Sequence, residues 1–345
     1  MKYATPSELT RALIDVPSLT ENEGTIAARL DELLSDLGLE TRRLPVDDSD
    51  EERVSLLATH SEGAPRILLC SHIDTVPPFI ESSEDSEWIY GRGACDAKGI
   101  IAAMIFAVRD LLKEGVRDVG LLLLAGEETD SIGAKRANEQ LAGIGSELVI
   151  VGEPTELKFV RACKGTLTAT ARFRGRAAHS AYPELGDSAI SKAARAIVAI
   201  DEAEWGSDAE IGEGTANVGV VRGGRKPNVI PDEASLEVMI RTVEPMEQSL
   251  ERLREIVESH RGTVEEPRGT SPVVFDVPAG ESSVTVGFGT DAPYLGNLGR
   301  RMLFGPGSIH LAHTEAEKVR KDDLERAREK YASVVRAELE ASPES

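Results

Sequence analysis

Apolar positions recur in this chain with two different periods. Ile26, Leu30, Leu33, Leu34 and Leu37 fall on one helical face and Gly38 follows them, which predicts a helix over about 22–37. After Lys98, the residues Ile100, Ile101, Met104, Ile105, Val108, Leu111 and Leu112 trace a second helical face that stops at Gly115. A third, strongly charged helix is predicted from Lys321 to about Leu339. Between these, four runs are apolar without interruption: 67–70, 119–125, 148–151 and 302–304. Such runs suit strands buried on both faces of a parallel sheet. Each ends in polar residues: Ser71-His72-Ile73-Asp74, Gly126-Glu127-Glu128, Gly152-Glu153, and Gly305-Pro306-Gly307 leading to His310 and His313. Ligands of open α/β sheets bind beyond the carboxyl ends of the strands, so histidines and carboxylates are expected along one sheet edge.

The middle of the chain follows another pattern. It reads as strand (166–173), helix (188–202), strand (215–222), strand (234–243) and helix (246–259), an α+β unit of its own. Because His313 follows a strand so like those before the middle section, that section is expected to be an insert. Residues 1–164 and 271–345 then form one domain and 165–270 the second.

Composition narrows the classes. Hydrophobic residues are 41% and charged residues 29%, ordinary for a globular protein. The net charge of -21 disfavours nucleic acid and anionic membranes as partners. No run approaches the 18 or so apolar residues of a membrane span, and the first residues lack a signal-peptide pattern. Three cysteines, Cys70, Cys95 and Cys163, make no disulfide framework and fit a reducing, cytoplasmic compartment. The acidic stretches Asp47–Glu52 and Glu81–Glu87 read as solvated loops, and the tail after Ala341 as frayed.

Taken singly, the polar strand ends allow two readings each. His72-Ile73-Asp74 is a metal-binding imidazole with its orienting carboxylate, or a surface loop. Asp96, between the glycines of Gly91-Arg92-Gly93-Ala94-Cys95-Asp96-Ala97-Lys98-Gly99, bridges cations or caps the helix that follows. The pair Glu127-Glu128 needs a cation or a proton to offset its repulsion, or it lies in water. Glu153 and His313 mean little alone. Together, His72, Asp96, Glu128, Glu153 and His313 offer two imidazoles and three carboxylates, about the number that two metals sharing a carboxylate require. Cys95 reads as structural. Asp291 is expected near the site without an assigned role.

The strings SHIDTVP, GRGACDAKG, AGEE, GEPT, RGRAAHSAYP, NVIPDEA and GPGSIHLAHT resemble, in this order and over nearly the whole chain, the dizinc aminoacylase and exopeptidase family, which includes acetylornithine deacetylase and succinyl-diaminopimelate desuccinylase. The resemblance implies an α/β, zinc-exopeptidase-like catalytic domain with a mostly parallel sheet, plus an inserted α+β, ferredoxin-like lid and dimerisation domain. It implies two Zn2+, with Co2+ able to substitute. His72, Asp96 and Glu153 would hold one zinc, and Asp96, Glu128 and His313 the other. Asp74 would orient His72, and Glu127 would be the general acid/base. His179 would reach the partner's active site in a homodimer, while Asn228 and Arg241 would contact the substrate. The expected activity is amide hydrolysis of a small N-acyl amino acid, N-acetylornithine first. The alternatives are N-succinyl-diaminopimelate, a lysine or ornithine linked to a carrier protein, and small peptides. A non-catalytic module on the same scaffold would be expected to have lost ligands, and none is missing.

Overall fold

A computed structural model of the chain describes residues 2–47, 50–61 and 65–341. The chain forms two compact units. One comprises Met1–Arg161, Phe275–Val284 and Thr290–Ser345; the other comprises Ala162–Val274 and Thr285–Gly289.

The first unit is built on a mixed sheet whose centre is parallel. Its four central strands, in spatial order Val119–Leu124, Ile67–His72, Leu148–Val151 and Arg300–Leu303, all run the same way. They correspond to the four uninterrupted apolar runs. The first three are buried at every position, and Met302 and Leu303 are buried in the fourth. The helix Lys98–Lys113 packs Ile100, Ile101, Met104, Ile105, Phe106, Val108 and Leu111 into the same core as the sheet. Each such large side chain contributes about 1.5–3 kcal/mol of burial. The helices Gly24–Ser35 and Lys321–Ala341 join that core.

Several elements of this unit lie outside the sequence expectation. The helices Pro6–Ile14 and Ile132–Gln140 are present, and the strands Glu40–Asp47 and Asp50–Thr59 add an antiparallel edge next to Val119–Leu124. The acidic stretch 47–52 is therefore no simple loop: Asp47 and Asp50 are paired at the end of a hairpin, while residues 48 and 49 lie outside the described residues. The Glu81–Glu87 stretch contains the short strand Ser83–Glu84, paired with Ile89 and Tyr90, and Glu84 meets Arg11 and Lys321 in ion pairs. The tail beyond Ala341 falls outside the described residues.

The second unit has the order strand, helix, strand, strand, helix, strand: Gly165–Arg174, Ala189–Glu202, Thr215–Gly223, Glu233–Thr242, Met246–Ser259 and Gly262–Thr270. Its antiparallel sheet runs Thr215–Gly223, Glu233–Thr242, Gly165–Arg174, Gly262–Thr270 in space, a ferredoxin-like arrangement. Along Glu233–Thr242, Ala234, Leu236, Val238, Ile240 and Thr242 point to the covered face. Leu250, Leu253 and Val257 of the second helix pack against that face. The last strand escaped the sequence pattern because GTVEEPRGT has almost no apolar alternation.

Candidate metal centre

His72 closes the strand Ile67–His72, and the alternation of that strand carries Asp74 to the same side. His72 Nδ1 lies 3.0 Å from the main-chain oxygen of Asp74 and 3.6 Å from its Oδ1. The carbonyl is thus the closer partner, and the carboxylate has a second task. It accepts the Thr20 hydroxyl at 2.9 Å and the backbone N–H groups of Glu127 and Glu128 at 3.1 and 3.2 Å. One buried aspartate thereby ties the His72 strand to the turn that carries both glutamates.

Asp96 does not cap the helix that follows it; the N-cap position is Ala97, without a side-chain bond. Gly93 turns the chain in the left-handed region at φ 92°, and the Asp96–Ala97 peptide is cis. The Asp96 carboxylate instead divides between two histidines. Its Oδ1 lies 3.0 Å from His72 Nε2 and its Oδ2 lies 3.2 Å from His313 Nε2. His313 Nε2 is also 2.9 Å from Glu128 Oε2. His313 has φ 63°, uncommon for a non-glycine residue and frequent at ligand-holding positions. Glu153 follows the strand Leu148–Val151, is buried, and lies within electrostatic reach of His72, Asp96 and Glu128. Glu127 and Glu128 are not a solvated turn, since Asp74 holds both backbones and the Glu128 side chain is only 5% exposed.

These groups fit zinc. Ligand atoms about 2.0–2.1 Å from a tetrahedral zinc lie roughly 3.3 Å from one another, and the imidazole and carboxylate atoms approach one another at 2.9–3.2 Å. One nitrogen or oxygen atom from each of His72, Asp96 and Glu128 falls within 4.8 Å of the others. The donor set is nitrogen and oxygen. Cys95 is buried and its Sγ faces the Ser308 carbonyl and Glu317 instead.

The imidazoles and carboxylates perturb one another. Burial opposes protonation of His72, yet its bonds to Asp74 and Asp96 outweigh that and raise it well above the usual value. Bonds to Asp96 and Glu128 lift His313 to about 10. Burial raises Glu153, aided by the charge of Asp96. It raises Glu127 too, aided by the charges of Glu153, Asp291 and Glu128. Four carboxylates, at positions 96, 127, 128 and 153, thus share the site with two imidazoles, His72 buried and His313 half exposed.

A family model described as peptidase family M20/M25/M40 matches residues 68–337. The chain belongs to this family. The probable carboxypeptidase AFLA_000940 of Aspergillus flavus is 36% identical over 95% of this chain and 89% of its own. Among solved structures, aminopeptidase PepT of Bacillus cereus superposes with a TM-score of 0.79 at 23% identity, covering 95% of this chain and 96% of the other. The YXEP protein of Bacillus subtilis, described as a dinuclear metal binding peptidase of the M20 family, superposes with a TM-score of 0.70 at 16% identity, covering 95% and 96%. As a member of the M20/M25/M40 family, the chain is a metallopeptidase-type hydrolase acting on amide bonds.

The remaining predicted residues of this M20 chain lie in the second unit. His179 bridges to Val229, and Ser180 N donates to Asn228 O at 3.1 Å, so His179 and Asn228 sit on adjoining turns. His179 is exposed, and its Nδ1 accepts the Ala181 N–H at 3.1 Å. In the neutral ring that bond leaves the proton on Nε2, a donor facing away from its own turn. Arg241 stands apart from this pair. It lies eight residues along the strand from Glu233, about 26 Å at 3.3 Å per residue, on the face opposite Ile240.

Two residues near the centre carry more than the sequence indicated. Asp291 is buried, its Oδ1 has no hydrogen-bond partner among the described residues, and burial raises its carboxyl to about 7. Glu317 lies in the charged run His313-Thr314-Glu315-Ala316-Glu317-Lys318, which offers no sign that one of its acids is buried. No helix of the described residues is long and apolar enough to cross a membrane.

Proposed function

We propose that this chain hydrolyses the amide bond of a small N-acyl amino acid with two zinc ions, N-acetylornithine being the substrate to test first. The observation that carries the reading is the division of the Asp96 carboxylate, one oxygen towards His72 and the other towards His313. A carboxylate so placed suits a bridge between two metals. His72, Asp96 and Glu153 would hold one, and Asp96, Glu128 and His313 the other. Zinc bound there would polarise the scissile carbonyl and make water acidic enough to attack at neutral pH. Cobalt suits the same nitrogen and oxygen donors.

The chain's own residues do the rest. Glu127, ionised, takes the proton of the attacking water and returns it to the leaving nitrogen; its burial strengthens its hold on that proton between the two steps. Asp74 keeps His72 and the two glutamates in register. The Nε2–H of His179 donates to the oxygen on which negative charge develops. Asn228, beside His179, and Arg241, at the far end of its strand, would contact the substrate from different subunits of the homodimer, the planar guanidinium being suited to its carboxylate.

The insert is assigned as lid and dimerisation domain, with His179 serving the partner's centre in a homodimer. Its edge strand Thr215–Gly223 and the exposed Val221, Ile190 and Val198 support a surface that a second copy covers. The three buried cysteines suit a cytoplasmic protein, and the charge of -21 disfavours nucleic acid and membranes.

A second reading, removal of the last residue of a small peptide, draws on the relatives called probable carboxypeptidases. Both readings require a free carboxylate on the substrate. Amine release from N-acetylornithine, N-succinyl-diaminopimelate and a dipeptide, each with its carboxylate free and as the amide, distinguishes them. Preference for the acyl amino acids supports the first reading and preference for the dipeptide the second. Equal turnover of the amides removes the carboxylate requirement from both.

A further inference from the structure

The Glu317 side chain is buried beneath the loop that presents Asp96. Glu317 Oε1 accepts the backbone N–H of Gly93 at 2.9 Å and those of Cys95 and Asp96 at 3.2 Å each. Three convergent N–H groups form an anion-binding concavity of the kind that elsewhere takes phosphate. In this loop the anion is supplied by the chain itself, from 221 residues further along.

The other oxygen, Oε2, accepts Arg92 Nη1 at 2.6 Å, and both side chains are at most 2% exposed. Arg92 reaches further. Its Nη1 also donates to the main-chain oxygen of Thr314 at 3.2 Å, and its Nε donates to that of Pro78 at 3.3 Å. Thr314 directly follows His313. The position of Glu317 is itself set by strand pairing: Lys318, Val319 and Arg320 oppose Tyr90, Ile89 and Trp88, and Gly91 N donates to Glu317 O at 3.1 Å.

We propose that Glu317 is a positioning residue for the metal pair: its carboxylate shapes the loop that aims Asp96 and, through Arg92, locks that loop to the segment carrying His313. The inference rests on the metal reading of Asp96 and His313. Without the carboxylate, three buried N–H groups lose their acceptor and Arg92 loses its counter-charge, so the loop must find another shape. Partners of this kind, behind the ligands, typically govern metal affinity by 10- to 100-fold.

The test uses the full chain, stripped of metal and titrated with cobalt(II) against a competing chelator, with the visible spectrum of the cobalt form recorded. Wild type, Glu317→Ala, Glu317→Gln and Leu30→Ala are compared. Leu30 is buried in the helix Gly24–Ser35, which packs on the strands Glu40–Asp47 and Asp50–Thr59, and controls for lost stability. Glu317→Ala is expected to bind cobalt 10- to 100-fold more weakly with an altered spectrum, while Leu30→Ala keeps affinity and spectrum. Glu317→Gln keeps a carbonyl oxygen for the three N–H groups but sets its NH2 against Arg92 Nη1, so it should restore only part of the affinity. Wild-type affinity and an unchanged spectrum in Glu317→Ala would overturn the proposal. If that variant does not fold, Arg92→Lys replaces it: disturbing the Nη1 donor that Glu317 and Thr314 share should shift the spectrum, and an unshifted spectrum overturns the link to His313. Failure of the wild type to bind cobalt would instead remove the metal reading on which the inference stands.

Discussion

Asp74 Oδ1 accepts the backbone N–H of Glu127 at 3.1 Å, so the residue beyond one central strand holds the turn beyond its neighbour. The same carboxylate takes the N–H of Glu128 and the Thr20 hydroxyl. Asp74→Ala therefore removes the acceptor for two backbone donors at once. Each donor left unpaired costs about 1–3 kcal/mol. Urea unfolding of the metal-free protein should show that loss, and metal affinity should fall by roughly 10- to 100-fold. A variant as stable and as metal-avid as wild type would mean that the turn keeps its shape without Asp74.

Glu127 has a different role and should give a different signature. Glu127→Gln preserves size but cannot carry the proton. Turnover should drop by about 10²- to 10⁴-fold, with metal content equal to wild type. Normal turnover would dismiss Glu127 as the base, and lost metal would recast it as a ligand.

His179 lies in the second unit and is proposed to act on the partner's centre. His179→Ala should lower turnover by roughly 10²- to 10³-fold and leave metal content alone. Mixing it with Glu127→Gln under conditions that exchange subunits should restore partial activity, because some mixed dimers then hold one intact site. Without recovery in confirmed mixed dimers, His179 does not act across the interface.

Tyr331 supplies a case without chemistry. Its hydroxyl donates to the main-chain oxygen of Phe304 at 2.7 Å in the core beneath the Gly305–Gly307 turn. Tyr331→Phe should lower stability by about 1 kcal/mol in thermal or urea unfolding without altering metal stoichiometry. A change in stoichiometry would bring Tyr331 into the metal site.

Much of this centre was legible in the residue pattern because the central strands are buried on both faces. Burial on both faces writes an uninterrupted apolar run, and the polar residue ending each run then stands out: His72, Glu127-Glu128, Glu153. The helix Ile132–Gln140 was not legible, since its buried residues include Gly133, Ala134 and Ala137, too small to mark an apolar face. The hairpin at 47–50 was hidden by its acids, which look like solvated loop. Glu317 is the clearest omission. A buried carboxylate satisfied by Arg92 and three backbone N–H groups looks, in one dimension, like any other acid in a charged run. Only the pairing of Lys318–Arg320 with Trp88–Tyr90 brings it beneath Asp96.

The most direct test of the two-metal centre is a zinc titration of the metal-stripped chain, following amine release from N-acetylornithine and from a dipeptide at each addition. A shared Asp96 bridge predicts no turnover without metal and a rise that levels off at two zinc ions per chain. Undiminished turnover by the stripped protein, or full activity at one zinc with no second ion bound, would contradict the shared role given to Asp96.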